Sequence, residues 1–413
     1  MPPAPPATVS DVKLSPQTLL RLSPGVRTRF ERSGHVLLDA PNGTIVDIGP
    51  RGYAALALFA QPLALGEAIE RLQAGSATDL APSLGVINML IEEGALIPAG
   101  SEPGSARGWA DPVEHGRMLH DDARTGDYLA ALARAVRPGD VVLDIGTGSG
   151  VLAIAAARAG ARHVYAVEAS DIAHVAERVF TANGVQDRVT LIPGWSREIE
   201  LPERADLLVA EVIGNEPFEE ELLETTLDAR RRLLKPDGRL VPAALTLFAR
   251  PLLIPEEQAR QRAIGRAAVE RWRALYGIDF QPLLDASSPV PVNMPTEAEL
   301  AATWPQAGPA AVLAEIDLGA VEDASVRASA DLTVDAPGIV NAVAVTFRAR
   351  LHGDVTHTLD PWLRPTSSWA TSVWVLPDTL HVPGDTALRV RYARRLADAP
   401  DGLTCEVVGR DAG

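Results

Sequence analysis

Residues 141–160 read VVLDIGTGSGVLAIAAARAG, and this stretch decides the fold. VVLDI is a buried-strand run, GTGSG is a turn with glycine at alternate positions, and VLAIAAARA has the composition of a helix. Gly146, Gly148 and Gly150 lack a Cβ, so the backbone can approach a ligand closely at the carboxyl end of the strand. The next apolar run, HVYAVEA (163–169), ends in Glu168, where a carboxylate can take both hydroxyls of a ribose. By spacing alone the segment is compatible with a dinucleotide site, because a lone glycine pattern discriminates weakly.

Working outward, residues 115–245 alternate helical and strand patterns, which implies a largely parallel sheet covered on both faces. After Gly238 the pattern becomes half-buried strands, as in RLVPAALTLFARPLL, NAVAVTFRARL, SSWATSVWVL and ALRVRYAR, so residues 239–413 should be mostly β. A proline-rich stretch with helical edges, about 255–310, interrupts them. Upstream, PAGSEPGSARG (98–108) reads as a linker and the proline-rich 1–14 as disordered. Between them, VRTRFE, GHVLLD and GTIVDIG are short strands, followed by helical patterns near 50–60, 66–73 and 81–94. The last helix places Leu84, Ile87, Leu90 and Ile91 on one face and stops at Gly94. Three strands then three helices suggest a winged-helix-like α+β unit.

A net charge of −16 argues against a general phosphate-contacting surface, so no nucleic acid is expected as partner. One cysteine, Cys405, excludes a disulfide framework, and the histidines show no ligand spacing, so no metal is expected. The N-terminus lacks a secretory pattern and no apolar run could span a bilayer, which makes the cytoplasm the expected compartment, without a membrane partner.

Asp144 extends the glycine turn to D-x-G-x-G-x-G, which resembles class I methyltransferases. MLHDDART (118–125) and AEVIGNEPFEEELLETTLDARRRLLKPDGRLVPAALTLF (210–248) are together similar to the protein arginine methyltransferases. The resemblance covers about 110–413. It implies a Rossmann-like S-adenosyl-L-methionine-binding domain (110–245), then a β-barrel domain (246–413) with a dimerisation arm near 255–310, and a homodimer. It also implies that Arg124 holds the cofactor carboxylate, with Met118, Asp144, Gly146, Gly148, Gly150, Glu168 and Ser196 completing the cofactor site. Glu211, Gly214 and Glu220 reproduce the family's paired-glutamate loop, and VERWRALYGIDF (269–280) resembles its W-x-x-x-YG-x-D segment. Three positions depart from the pattern. The YFxxY motif is SARGW (105–109), keeping only Trp109; the Thr-His-Trp loop is Ser367-Ser368-Trp369; and the adenine-contacting acid is Arg197. Trp109 and Trp369 are the expected substrate contacts, and His115 aligns with a family histidine.

The chemistry of the pair follows from the nucleophile. A guanidinium is cationic and stays protonated to a pKa above about 12. Two carboxylates can hold it in a fork, and one can take a proton as the new bond forms. Glu211 sits at the carboxyl end of the strand ADLLVAE, where open α/β sheets place their ligands, and Glu220 should face it from the start of the next helix. Glu219 and Glu221 read as the solvated acidic start of that helix.

LSPGVRTRFERSGHVLLDAPNGTIVDIGPRGYAALALF and the following helices are similar to the PqqD-like family of winged-helix leader-peptide binders, over about 15–98. That resemblance implies a leader added as a strand beside Thr44, Ile45, Val46, Asp47 and Ile48. The unit is not basic: residues 1–104 hold seven Lys/Arg against ten Asp/Glu. The combined expectation is methylation of a ribosomally synthesised precursor peptide recruited by its leader, on a side-chain nitrogen with arginine favoured. The alternatives are an O-methyltransferase acting on a peptide carboxylate, or a peptide-binding scaffold with a degenerate methyltransferase domain.

Overall fold

The computed structural model describes residues 15–23, 26–30, 35–39, 45–74, 80–92, 94–98, 109–287, 290–365, 367–396, 399 and 401–409. The lead-in 1–14, the linker core 99–108 (with Ser105 to Gly108 of the SARGW segment) and Thr44 lie outside them.

The N-terminal unit contains β1 (Leu19–Leu22), β2 (Arg27–Phe30), β3 (Val36–Asp39), β4 (Ile45–Asp47), α1 (Gly49–Leu58), β5 (Leu63–Ala64), α2 (Leu65–Ala74), α3 (Leu80–Glu92) and β6 (Leu96–Pro98). β2, β3 and β4 form an antiparallel sheet in that order. A second sheet, β5-β1-β6, was not expected from sequence, since strands of two to four residues leave no period-two pattern to read. Leu20, Leu38, Phe59, Ile87, Leu90 and Leu96 fill its separate core. The predicted third strand stops at Asp47. Ile48 is instead the residue before α1, with its apolar side chain turned into that core, because the helix opens at Gly49-Pro50.

The central layer is α4 (Pro112–Leu119), α5 (Asp122–Ala135), β7 (Val141–Ile145), α6 (Val151–Arg158), β8 (His163–Glu168), α7 (Ala173–Ala182), β9 (Val189–Pro193), β10 (Ala205–Ala210), α8 (Leu222–Arg232) and β11 (Leu234–Val241). Its sheet runs β11-β10-β7-β8-β9 with every pair parallel. All of Val141–Ile145 is buried, as parallel strands covered on both faces require. The strand order reverses between β7 and β10. The carboxyl ends of those two strands therefore flank the crevice where such sheets bind ligands.

The last layer is β12 (Ala244–Leu252), α9 (Glu256–Arg260), α10 (Arg266–Tyr276), α11 (Gln281–Ala286), β13 (Val292–Thr296), α12 (Ala298–Ala302), β14 (Ala311–Asp317), β15 (Val326–Leu332), β16 (Ile339–His352), β17 (Val355–Leu359), β18 (Thr371–His381), β19 (Thr386–Arg394) and β20 (Gly402–Gly409). Six of the strands form one antiparallel sheet around β16, and β15-β19-β20 form another, giving a β-barrel-like body. The proline-rich arm is not purely helical: Val292–Thr296 pairs with β18 as a strand of the larger sheet. Leu245, Leu247, Phe347 and Leu388 of this body belong to the same apolar cluster as Leu143, Val167 and Val209 of the parallel sheet. Helix α5 lies between the two layers, and its His357–Asp127 bond of 2.9 Å ties β17 to it.

Candidate active site

Two strand ends build the site. β7 runs out into Gly146, Gly148 and Gly150, all at left-handed φ (74°, 54° and 87°). A Cβ on Gly146 would stand 2.9 Å from Val212, the residue after Glu211, so the two strand ends touch. A Cβ on Gly148 would stand 2.8 Å from the His115 ring. That ring donates through Nε2 to the Trp109 carbonyl at 2.7 Å, and Ser170 Oγ donates to the same oxygen at 3.1 Å. His115 thus holds α4 across the glycine turn. Asp111 caps α4 by accepting from the Val113 amide at 2.8 Å.

Beneath the turn, Asp144 is fully buried and accepts from Thr147 Oγ1 at 2.6 Å. Burial, with the Glu168 charge adding to it, pushes its pKa up to about 7 against the opposing Thr147 bond. Glu168 accepts from the Gly148 amide at 2.9 Å and the Ser170 amide at 2.7 Å, which locks the end of β8 to the glycine turn. Met118 on α4 is half-buried. Ser196 is half-buried too, on the far side of β8, with its carbonyl held by Arg232 at 3.0 Å.

Arg124 and Glu211 form a buried ion pair. Arg124 also lies over the Trp369 ring, 4.8 Å from its centroid. The expected cofactor-carboxylate ligand and the first expected catalytic carboxylate are therefore partners in this structure. Burial lowers the Arg124 pKa from its ordinary value, with carboxylates and Tyr128 opposing. Arg124 Nε, Glu211 Oε1 and Asp144 Oδ1 are buried without a protein partner. A donor and two acceptors so placed, around a turn with no room for a Cβ, suit a ligand that carries a carboxylate, an amine and hydroxyls.

The Glu211–Glu220 loop is stitched at several points. A Cβ on Gly214 would come within 2.1 Å of Glu219 Cγ, and Glu219 Oε1 accepts from the Asn215 amide at 2.6 Å. Tyr392 of β19 donates to Glu216, whose other oxygen takes the Phe218 amide at 3.1 Å. Glu220 precedes α8 instead of starting it, because Glu221 is the residue that caps the helix. Of the expected solvated acidic helix start, Glu219 is exposed as read, though it lies in the turn before α8, and Glu221 is corrected. Glu221 is buried and ion-paired to Arg29, Arg197 and Arg395, since at φ 62° its side chain turns back under the loop. Burial, reinforced by Glu219 and opposed by Arg124, pushes the Glu220 pKa up to about 8.

The Ser367-Ser368-Trp369 segment closes the site from the barrel side. Asp121 accepts from the Ser368 amide at 2.8 Å and from its hydroxyl at 3.2 Å, while Arg117 Nη1 donates to the Ser368 carbonyl at 2.7 Å. Trp369 Nε1 donates to the Ile213 carbonyl at 2.6 Å, and Asn215 Oδ1 accepts from the Ala370 amide at 2.7 Å. His357 stands 5.3 Å from the Trp369 ring, and burial lowers its pKa. Asp121 lies within the MLHDDART motif but was given no role from sequence, and His357 and Tyr392 were missed, because they come from two distant strands that no local pattern marks. Ile45, Val46 and Asp47 stand apart from this crevice on β4, an outer strand of the N-terminal sheet.

Among the described residues no group of three or more His, Cys, Asp or Glu could hold a metal, and no helix is long and apolar enough to cross a membrane.

Comparison with known proteins gives a likeness of sequence and of fold. Residues 123–243 match the family model of ribosomal protein L11 methyltransferase (PrmA), a span running from α5 past both strand ends. The chain is 34% identical to a probable protein arginine N-methyltransferase 6 of Arabidopsis thaliana over 198 residues, 46% of this chain and 44% of that protein. It is 40% identical to protein arginine N-methyltransferase 1 of Schizosaccharomyces pombe over 174 residues, 41% of this chain and 48% of that one. The chain thus spans less than half the length of these curated relatives. Among solved structures, the Trypanosoma brucei PRMT1 enzyme-prozyme heterotetrameric complex with AdoHcy matches at 25% identity and TM-score 0.58, over 72% of this chain and 98% of that one. Arabidopsis thaliana protein arginine methyltransferase 10 matches over the same shares with TM-score 0.58 at 21% identity, a likeness of fold alone. By sequence and by fold, the chain is similar to the protein arginine methyltransferases.

Proposed function

We propose that this chain is an S-adenosylmethionine-dependent methyltransferase acting on a peptide or protein side-chain nitrogen, arginine first. The observation that carries the reading is the Arg124–Glu211 ion pair beside the glycine turn and against the Trp369 ring, with Glu220 near enough to feel the Arg124 charge. Asp144, Gly146, Gly148, Gly150, Glu168, Met118 and Ser196 would hold the cofactor, which supplies a methyl group already activated by its sulfonium. Arg124 would turn to the cofactor carboxylate and so release Glu211 toward the substrate. Glu211 and Glu220 then hold the guanidinium in a fork and concentrate its charge away from the attacking nitrogen. One of them accepts the proton that leaves as the N–C bond forms and the C–S bond breaks. Trp109 and Trp369 would line the substrate side.

Two further parts belong to this proposal. The N-terminal unit acts as a PqqD-like winged-helix module (15–98) that captures the leader of a precursor peptide along β4, whose other neighbour in the sheet is β3. Tethering then raises the local concentration of the core peptide, so the pocket itself need not bind tightly. The arm near 255–310 joins two copies: Leu275, Tyr276, Ile278 and Leu283 leave a large apolar surface exposed on it. A second reading is kept: burial raises the Glu220 pKa, so one member of the pair can stay neutral, which removes the repulsion that would otherwise bar a carboxylate substrate.

The experiment pairs Glu211→Gln and Glu220→Gln with tandem mass spectrometry of a co-expressed precursor. Each variant should lose turnover by about 100-fold while still binding the cofactor, and the two losses should not add. Full activity in both, with the methyl on a carboxylate, would establish the O-methyltransferase. Loss of cofactor binding in the unsubstituted chain would leave only the scaffold.

A further inference from the structure

The strand β2 meets the catalytic layer through alternate residues. Thr28 and Phe30 pair with Leu38 and Val36, which are buried in the N-terminal core, so Arg27 and Arg29 project from the opposite face. Arg27 grips both oxygens of Glu198, at 2.5 and 2.7 Å, and lies 5.2 Å over the Trp195 ring. Arg29 Nη1 reaches Glu221 Oε1 at 3.3 Å.

Glu221 is unusual in two ways. It is one of two described non-glycine residues at positive φ, and its side chain is 11% exposed among three guanidinium groups drawn from three layers. Arg29 comes from the N-terminal sheet, Arg197 follows β9, and Arg395, the other positive-φ residue, follows β19. Arg395 Nε also reaches Glu224 in the first turn of α8 at 2.8 Å. A left-handed conformation is unfavourable for a side chain with a Cβ and persists only where surrounding contacts over-determine it. Here the contacts are charge-assisted bonds to a buried carboxylate, which would be costly to leave unpaired. The φ of Glu221 sets the direction in which the chain enters α8, and hence where Glu220 stands relative to Glu211.

We propose that Arg29 is a positioning residue for the paired-glutamate loop: through Glu221 it holds the left-handed turn that aims Glu220, so the N-terminal unit frames the active site as well as any peptide it captures. This rests on the reading that Glu220 acts on the substrate. Arg197 and Arg395 remain when Arg29 is removed, so the turn loosens instead of collapsing.

The test compares the full chain with Arg29→Ala, Arg29→Lys and Glu220→Gln, using a synthetic glycine-arginine peptide at saturating S-adenosylmethionine. Arg29→Ala should lower kcat on the order of tenfold, leave the peptide KM and the cofactor affinity within about twofold, and be largely rescued by Arg29→Lys. Hydrogen exchange should quicken at the amides of residues 219–222 while β7 and β8 keep their protection. A unit that only recruits would move none of these, because so short a peptide does not engage it. Unchanged kcat together with unchanged exchange at 219–222 overturns the proposal, even where Glu220→Gln is inactive. Full activity in Glu220→Gln overturns the role of Glu220 instead, and exchange at 219–222 then still decides whether Arg29 holds the turn. Should the peptide fail as a substrate, that exchange decides alone.

Discussion

At Glu220 the carboxyl stands under opposing influences, and burial wins: its pKa rises from 4.5 to about 8. Its folded pKa lies above its unfolded one, so the folded chain holds a proton that the unfolded chain has lost across this window. The associated stability is fully present below about pH 4.5 and is lost as pH rises through about 8. Asp144 adds in the same sense up to about 7. The cofactor-free protein should therefore melt at steadily lower temperature between about pH 5 and 8, and Glu220→Gln should flatten that slope. In the same range kcat/KM for a cationic peptide should climb, since only the ionised carboxylate can hold it. Calorimetric melts and a pH–rate profile check both. A melting temperature independent of pH in this window would mean that Glu220 keeps its charge.

Among the elements, the glycine turn and α6 are the most tightly specified. Gly150 caps α6 at φ 87°, and a Cβ there would meet Phe180 of α7 at 2.4 Å. Gly126, inside α5, has nothing within 4 Å of its would-be Cβ. Gly150→Ala should destabilise by more than about 1 kcal/mol and weaken cofactor binding, whereas Gly126→Ala should stabilise by about 0.5–1 kcal/mol through the unfolded chain. Denaturant titration separates the two. Equal midpoints would show that the turn tolerates a side chain and that Phe180 yields. Pattern reading failed at one neighbouring position: Glu219 and Glu221 look like a solvated helix start, and Glu219 is exposed, yet Glu221 is buried and ion-paired.

For the whole molecule, the arm poses a question of assembly. Its β13 is a strand of the barrel sheet, so deleting the segment would damage that sheet as well as any interface. Charged substitutions at the exposed Leu275, Tyr276 and Leu283 avoid this. The unaltered chain should be a dimer by light scattering at micromolar concentration, and the variant Leu275→Glu/Tyr276→Glu/Leu283→Glu a monomer with its melting temperature little changed. A monomeric unaltered chain would sink the assembly proposal.

The sequence by itself determined the periodic and the punctuated features. VVLDI followed by alternate glycines reads as a buried parallel strand running into a tight glycine turn, because burial on both faces and the absence of Cβ are written in residue types. Spacing likewise put Glu211 at a strand end, and apolar periodicity marked the three N-terminal helices. What only tertiary structure decided is which charges meet. Arg124 pairs with Glu211 across 87 positions, and Arg29 with Glu221 across 192. Ion pairs carry no period and act through space, so residues far apart along the chain become partners only after hydrophobic packing has brought their elements together. The short β5-β1-β6 sheet and the clasp of Ser368 on Asp121 were hidden for the same reason: their partners are distant, and their own few residues hold too little pattern to announce them.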